Sequence, residues 1–125
     1  SKVDISEIGF VEKLIANTGS KITQDSLNHY KVLFSKPNHV KGTLKLMAEW
    51  SLSEFLKNLK NCTSSINFLV GNLDKTVPIS VSKKWSKILP KTSYHEISGA
   101  GHLVHEEKPY EVSQIILNHL QAIKK

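Results

Sequence analysis

The sequence predicts an α/β protein whose first half is helical and whose second half is a strand-helix-strand-helix unit. A short run from Ile66 to Val70 is β-prone and almost continuously apolar, which is typical of a buried parallel strand. Helical spacing of apolar residues returns from about Ser80 to Leu89, and a second short strand follows from Ser93 to Ile97. This order predicts two parallel strands joined by a right-handed crossover.

The first two helices are marked by their ends. Asp4 and Glu7 have the spacing of a capping box ahead of a periodic apolar run, and Gly19 supplies the stop. A second helix is predicted from about Thr23 to Phe34, where apolar residues recur every three to four positions.

Proline and capping residues mark the next helices. Pro37 fits the first turn of a third helix, and Ser51 with Glu54 forms a capping box that opens a short fourth. Pro109 likewise begins the last amphipathic helix, which follows the second strand. Helix-only segments such as the first half often cover a site that another layer carries.

Charge and cysteine content restrict the function classes. The net charge is +6, yet all seventeen basic residues are lysines spread along the chain. Arginine, the usual reader of phosphate and guanine, is absent, so nucleic-acid binding is disfavoured. Cys62 is the single cysteine, which excludes an intrachain disulfide and a zinc site built from cysteines. No signal peptide and no apolar run long enough to span a bilayer are seen, and a cytoplasmic location is expected.

Two strands are too few for a stable parallel sheet, which needs both faces covered and its edges paired. The chain is therefore expected to be the C-terminal part of a larger α/β protein. The strand at Ile66 to Val70 would then present an open edge, and self-association through this edge is expected.

Two polar residues follow the predicted strands and are the candidate catalytic residues. Asp74 lies in the turn after the first strand, and His102 lies in the Gly-Ala-Gly-His loop after the second. Sites of open α/β sheets lie at the carboxyl ends of the strands, so these loops should be neighbours. A carboxylate beside a histidine fixes its tautomer and stabilises the imidazolium that forms when the histidine accepts a proton.

Plainer interpretations of the same residues remain. Asp74 has a residue type common in turns, and a loop histidine is often satisfied by a backbone carbonyl. His102, His105 and Glu106 could be mistaken for metal ligands, but no regular helix is expected before Pro109 and no metal is predicted. Glu106 and Glu107 are expected to stabilise the N-terminus of the last helix.

The stretch from Phe68 to Pro78, followed by His102 in Gly-Ala-Gly-His, resembles the C-terminal third of the α/β-hydrolase family. In that family the triad runs in the order serine, acid, histidine. The resemblance implies that Asp74 is the triad acid and His102 the triad base. It implies hydrolysis of an ester, amide or related bond of a small-molecule substrate, without a metal or organic cofactor.

The first half has a narrower resemblance. Three stretches and one tyrosine resemble the lid of the magnesium-chelatase accessory hydrolases. They are Leu14 to Ser20, Tyr30, Pro37 to Gly42 and Leu46 to Trp50. The resemblance implies a helical lid over residues 1–50 and the C-terminal part of the hydrolase core over residues 51–125.

The sequence departs from the family at the nucleophile. No Gly-x-Ser-x-Gly motif is present anywhere, and the chain alone is predicted to be inactive. Two functions follow as expectations. The first is a fragment of a serine-type hydrolase that carries the triad acid and histidine. The second is a non-catalytic accessory or binding protein with the same fold, tied to magnesium chelatase and (bacterio)chlorophyll synthesis.

Overall fold

A computed structural model describes residues 5–59 and 61–123, and this part of the chain is an α/β structure with seven helices and two strands. The elements are, in chain order, α1 (Ile5–Asn17), α2 (Gln24–Phe34), α3 (Pro37–Ala48), α4 (Leu52–Leu59), β1 (Ile66–Gly71), α5 (Ile79–Ile88), β2 (Thr92–Ile97), α6 (Val104–Glu107) and α7 (Pro109–Ile123). Every helix and strand predicted from the sequence is found, with bounds shifted by one or two residues where they differ.

The two strands pair in parallel, as predicted. Their register runs from Ile66 opposite Thr92 to Gly71 opposite Ile97. Helix α5 connects them and contacts both. Both strands therefore end at the same edge of the sheet, and the loops that follow them are neighbours.

A small apolar core lies where the second strand passes into the last two helices. Its buried side chains come from β2, the loop after it, α6 and α7, and partly buried residues of β1 and α7 pack against them. The set is Ile97, Ala100, Val104 and Val112, with Leu69 and Ile115. This cluster fixes the start of the loop that carries His102.

The helical half is held mainly by contacts between neighbouring helices. Phe10 of α1 and Phe34 of α2 pack edge to face, with ring centroids 6.2 Å apart. Helices α2 and α3 have no buried residue. Large apolar side chains such as Met47 and Trp50 are exposed in the described structure.

The predicted start of α2 is confirmed, whereas that of α1 cannot be compared with the structure. Thr23, predicted as the first residue of α2, is its N-cap, and its hydroxyl accepts a hydrogen bond from the Ser26 N–H at 3.2 Å. The capping box of α1 lies outside the described residues, because Asp4 and the side chain of Glu7 are not among them.

Helix α6 was not expected, since no regular helix was predicted before Pro109. The prediction was wrong because a single buried side chain, Val104, turns into the core and fixes one helical turn. The Leu103 carbonyl accepts the N–H groups of Glu106 and Glu107 at 2.9 and 3.1 Å.

None of the helices within residues 5–59 and 61–123 has the length and apolar content that a bilayer-spanning helix needs.

Candidate active site

The turn after β1 holds the Asp74 carboxylate in a fixed orientation. One of its oxygens, Oδ1, accepts the backbone N–H groups of Thr76 and Val77 at 2.8 and 2.9 Å. The Asp74 N–H donates to the Gly71 carbonyl at 3.1 Å and closes the turn. With its side chain only 6% exposed, the carboxylate is a preorganised acceptor whose second oxygen faces the neighbouring loop.

The loop after β2 is joined to this turn by its backbone. The Leu73 N–H donates to the Ala100 carbonyl at 2.9 Å, and the Gly99 N–H donates to Asn72 Oδ1 at 2.8 Å. Gly99 has a φ of +72°, a backbone conformation that residues other than glycine rarely adopt. The loop therefore turns sharply at Gly99.

The structure brings the two predicted site residues together. His102 Nδ1 lies 2.9 Å from Asp74 Oδ2. Because an ionised carboxylate only accepts, Nδ1 carries the proton of the neutral ring, which leaves Nε2 as a proton acceptor. The imidazole is 39% exposed, and within residues 5–59 and 61–123 no hydrogen bond to Nε2 is found. This is the arrangement of an acid that orients a base.

The surroundings of Asp74 favour its ionised form. Burial of the carboxyl opposes ionisation, but hydrogen bonds from His102 and from the N–H groups of Val77 and Thr76 outweigh it and lower the pKa of Asp74 below its ordinary value. A carboxyl with a lowered pKa stabilises the fold above its unfolded-state pKa, near 4, and loses that contribution as the pH falls through the folded-state value.

A third segment, from Thr18 to Lys21 at the end of α1, touches both loops and was not identified as part of the site. The Thr18 carbonyl accepts the N–H of Lys75 and the N–H of His102, each at 3.2 Å. Ser20 is buried, and its hydroxyl accepts the Leu103 N–H at 2.8 Å. The sequence marks this segment as a helix stop and as part of the lid resemblance. Its place in the site was not predicted, because its contacts with the two loops join residues more than fifty positions apart.

Glu106 and Glu107 have other partners than the N-terminus of α7 expected from the sequence. The two carboxylate oxygens of Glu107 accept the N–H groups of Gly101 and Lys21, at 2.7 and 2.8 Å. Glu106 accepts the hydroxyl hydrogen of Tyr30 from α2. Glu107 therefore joins the helical half of the chain to the loop that carries His102 (residues 98–103, the histidine loop), and Glu106 joins the helical half to α6.

The Tyr30–Glu106 contact leads to a stability prediction. Burial and the adjacent Glu106 carboxylate raise the pKa of Tyr30 to about 12. A raised tyrosine pKa stabilises the fold below the unfolded-state value near 10, and this contribution is lost as the pH rises towards 12. We expect Tyr30→Phe to lower the free energy of unfolding by about 2 kcal/mol at neutral pH, measured by urea unfolding.

The matched control is Tyr110→Phe, since Tyr110 is 75% exposed and should change the free energy of unfolding little. The difference between wild type and Tyr30→Phe should shrink between about pH 10 and pH 12. A difference that stays constant over this range would contradict the assigned role of the Tyr30 hydroxyl.

Among the described residues, no group of three histidine, cysteine or acidic side chains is arranged to hold a metal ion. His102 Nδ1 is engaged by Asp74. His105 Nε2 lies 3.8 Å from Glu106 Oε1, a carboxylate oxygen that already accepts from Tyr30.

Comparison with known proteins gives two relatives of different coverage. The chain is 33% identical over 112 residues to the "Magnesium-chelatase 30 kDa subunit" of Rhodobacter capsulatus, a match that covers 90% of this chain and 39% of that protein. It is 35% identical over 77 residues to the chloroplastic "Pheophytinase" of Arabidopsis thaliana, covering 59% of this chain and 16% of that protein. No family model matches the chain.

The chain thus spans well under half the length of these two relatives. The resemblance to the magnesium-chelatase accessory hydrolases, drawn from the sequence, is confirmed by the first match, which extends over both the helical half and the β-α-β-α unit. Together the two relatives support the assignment of this chain as an α/β-hydrolase-like fragment.

Proposed function

We propose that the chain is the C-terminal part of a serine-type α/β-hydrolase, in which Asp74 is the triad acid and His102 the triad base. The observation that carries this proposal is the 2.9 Å contact between His102 Nδ1 and Asp74 Oδ2, made by loops that follow adjacent parallel strands. Residues 1–50 form the lid and residues 51–125 belong to the core. A cytoplasmic location is part of the same proposal.

The proposed reaction is hydrolysis of an ester, amide or related bond. Asp74 orients His102, and His102 Nε2 removes the proton from a serine hydroxyl as the serine oxygen attacks the carbonyl carbon. The imidazolium then gives this proton to the leaving group. A water molecule, deprotonated by the same nitrogen, cleaves the acyl-enzyme and regenerates the serine.

The serine is proposed to come from a part of the protein outside this sequence. Ser20, the serine tied to the histidine loop, is buried, and its oxygen is engaged by the Leu103 N–H. It lies in Thr-Gly-Ser-Lys at a helix end rather than in a Gly-x-Ser-x-Gly turn between strand and helix. Its contacts support a structural role.

A fluorophosphonate probe, which reacts with activated serines, tests the proposal on the full-length protein that carries this chain. We expect covalent labelling of the wild type. His102→Gln should abolish this labelling, and His105→Gln should retain it. His105 is a suitable control because its side chain is 64% exposed and its Nε2 lies 3.8 Å from the Glu106 carboxylate. A folded protein that takes up no probe would contradict the proposal.

The second candidate is a non-catalytic accessory or binding protein that works with a magnesium chelatase in (bacterio)chlorophyll synthesis. The observation that favours it is the match to a protein named as a magnesium-chelatase subunit, which covers 90% of this chain. On this proposal the protein binds a porphyrin-like ligand or a partner. Binding of a porphyrin by the folded full-length protein, together with absence of fluorophosphonate labelling, would favour this function.

A further inference from the structure

Three consecutive backbone N–H groups of the histidine loop, at residues 101–103, are each held from outside the loop. The Gly101 N–H donates to Glu107 Oε2 at 2.7 Å, and the Leu103 N–H donates to the Ser20 hydroxyl at 2.8 Å. Between them the His102 N–H donates to the Thr18 carbonyl at 3.2 Å. The peptide units on both sides of the His102 Cα are thus anchored, and with them the point from which the imidazole extends.

Glu107 also joins two segments that are far apart in sequence. Its other oxygen, Oε1, accepts the Lys21 N–H at 2.8 Å, so one carboxylate binds both the segment after α1 and the histidine loop. Hydrogen bonds to an ionised acceptor are roughly twice as strong as neutral ones. Glu107 is therefore suited to hold these two backbones at a fixed separation.

Ser20 acts at the other side of His102. The residue is buried, and removal of its hydroxyl would leave the Leu103 N–H without its acceptor in a part-buried place. Gly101 touches the backbone of Gly19 so closely that a Cβ on Gly101 would lie 2.3 Å from the Gly19 carbonyl carbon. The segment from Thr18 to Lys21 is therefore in close contact with the histidine loop. The loop has no room to move towards this segment.

We propose that Ser20 and Glu107 are positioning residues that hold His102 at hydrogen-bond distance from Asp74. The catalytic consequence rests on the proposed function, whereas the effect on the His102–Asp74 contact does not. A displacement of about 1 Å in a catalytic group lowers the rate by up to about 100-fold. Loosening the His102 backbone should therefore lower kcat more than it changes KM.

The test uses Ser20→Ala and Glu107→Gln in the full-length protein, with Ser20→Thr as the conservative variant that keeps the hydroxyl. Matched controls come from α7. The Ser113 hydroxyl donates to the Tyr110 carbonyl of its own helix, and Glu111 pairs only loosely with Lys108, at 3.9 Å. Ser113→Ala and Glu111→Gln therefore repeat the chemical changes away from the histidine loop.

Three measurements separate positioning from general stability: amide hydrogen exchange at residues 101–103, the NMR signal of the His102 Nδ1 proton, and kcat and KM for a p-nitrophenyl ester. We expect Ser20→Ala and Glu107→Gln to speed exchange at residues 101–103 about tenfold or more relative to the α7 amides. The Nδ1 proton signal should broaden or shift, and kcat should fall about 10- to 100-fold at nearly constant KM. Ser20→Thr should restore most of each property.

The proposal is overturned if exchange at residues 101–103 rises only in parallel with the rest of the chain and the Nδ1 signal is unchanged. If the wild type shows no esterase activity while exchange and the Nδ1 signal respond as expected, the hydrolase proposal fails and the positioning role stands. Glu107→Gln keeps the size of the side chain and one acceptor oxygen, so it decides the matter if Ser20→Ala does not fold.

Discussion

In the proposed mechanism His102 is the base that deprotonates the nucleophile, so replacing His102 by glutamine is expected to lower kcat of the full-length protein towards an activated ester by about 10⁶-fold. Asp74→Asn is expected to lower kcat by about 10⁴-fold. Asparagine keeps an oxygen for the N–H groups that Asp74 accepts from Thr76 and Val77. It would, however, present an amide to His102 Nδ1 and so favour the wrong tautomer. Steady-state kinetics with p-nitrophenyl esters measures both effects.

The double variant provides the sharper test of this pair. Substitutions of residues that act as a unit have strongly non-additive effects on kcat. The double variant Asp74→Asn, His102→Gln should therefore have a kcat no lower than that of His102→Gln alone. His105→Gln should keep nearly the wild-type rate, since the exposed His105 side chain lies outside the pair. Additive losses, or wild-type turnover by His102→Gln, would show that the contact seen at 2.9 Å does not carry hydrolysis.

Adding one methyl group at Gly101 is expected to destabilise the fold by about 3 kcal/mol or more. A Cβ there would lie 2.3 Å from the Gly19 carbonyl carbon and 2.4 Å from the Ser20 nitrogen. These atoms belong to the backbone, so no side-chain rotation relieves the clash. The loop must instead separate from the segment after α1, which breaks the hydrogen bonds of His102 and Leu103. Urea unfolding of Gly101→Ala measures the loss.

Gly42 is the matched control for the same substitution. It lies inside α3, and a Cβ built there meets nothing within 4 Å. Because glycine is costly in a helix, Gly42→Ala should raise the free energy of unfolding by about 0.5–1 kcal/mol. Opposite signs at the two positions are expected, and a destabilisation of similar size at both would rule out the close backbone contact as the cause.

Much of the fold follows from local sequence signals. The apolar run that forms β1, the helical period of α5 and Pro109 at the start of α7 each specify an element by themselves. Their order specifies the parallel pairing, because a helix between two strands returns the chain to the same end of the sheet. Helix α6 could not be predicted from local signals, because it is a single turn whose stability depends on the burial of Val104.

The two site residues could be placed side by side from the sequence because strand ends define where their loops meet. The roles of Thr18, Ser20 and Glu107 could not, since each depends on a backbone N–H or carbonyl of a distant segment. Glu107 shows the difference clearly. Its position before a helix suggests a dipole interaction, yet it accepts the Lys21 N–H from 86 residues away.

The Thr18 carbonyl accepts both the N–H of Lys75, the residue after Asp74, and the N–H of His102. One main-chain oxygen is therefore the common acceptor that holds both loops. Alanine scanning would overlook this contact because any residue at position 18 supplies the same oxygen. A backbone ester between residues 18 and 19 weakens that carbonyl as an acceptor and also removes the Gly19 N–H, which donates to the Ala16 carbonyl at 3.1 Å. Such an ester is expected to loosen both loops without changing a single side chain.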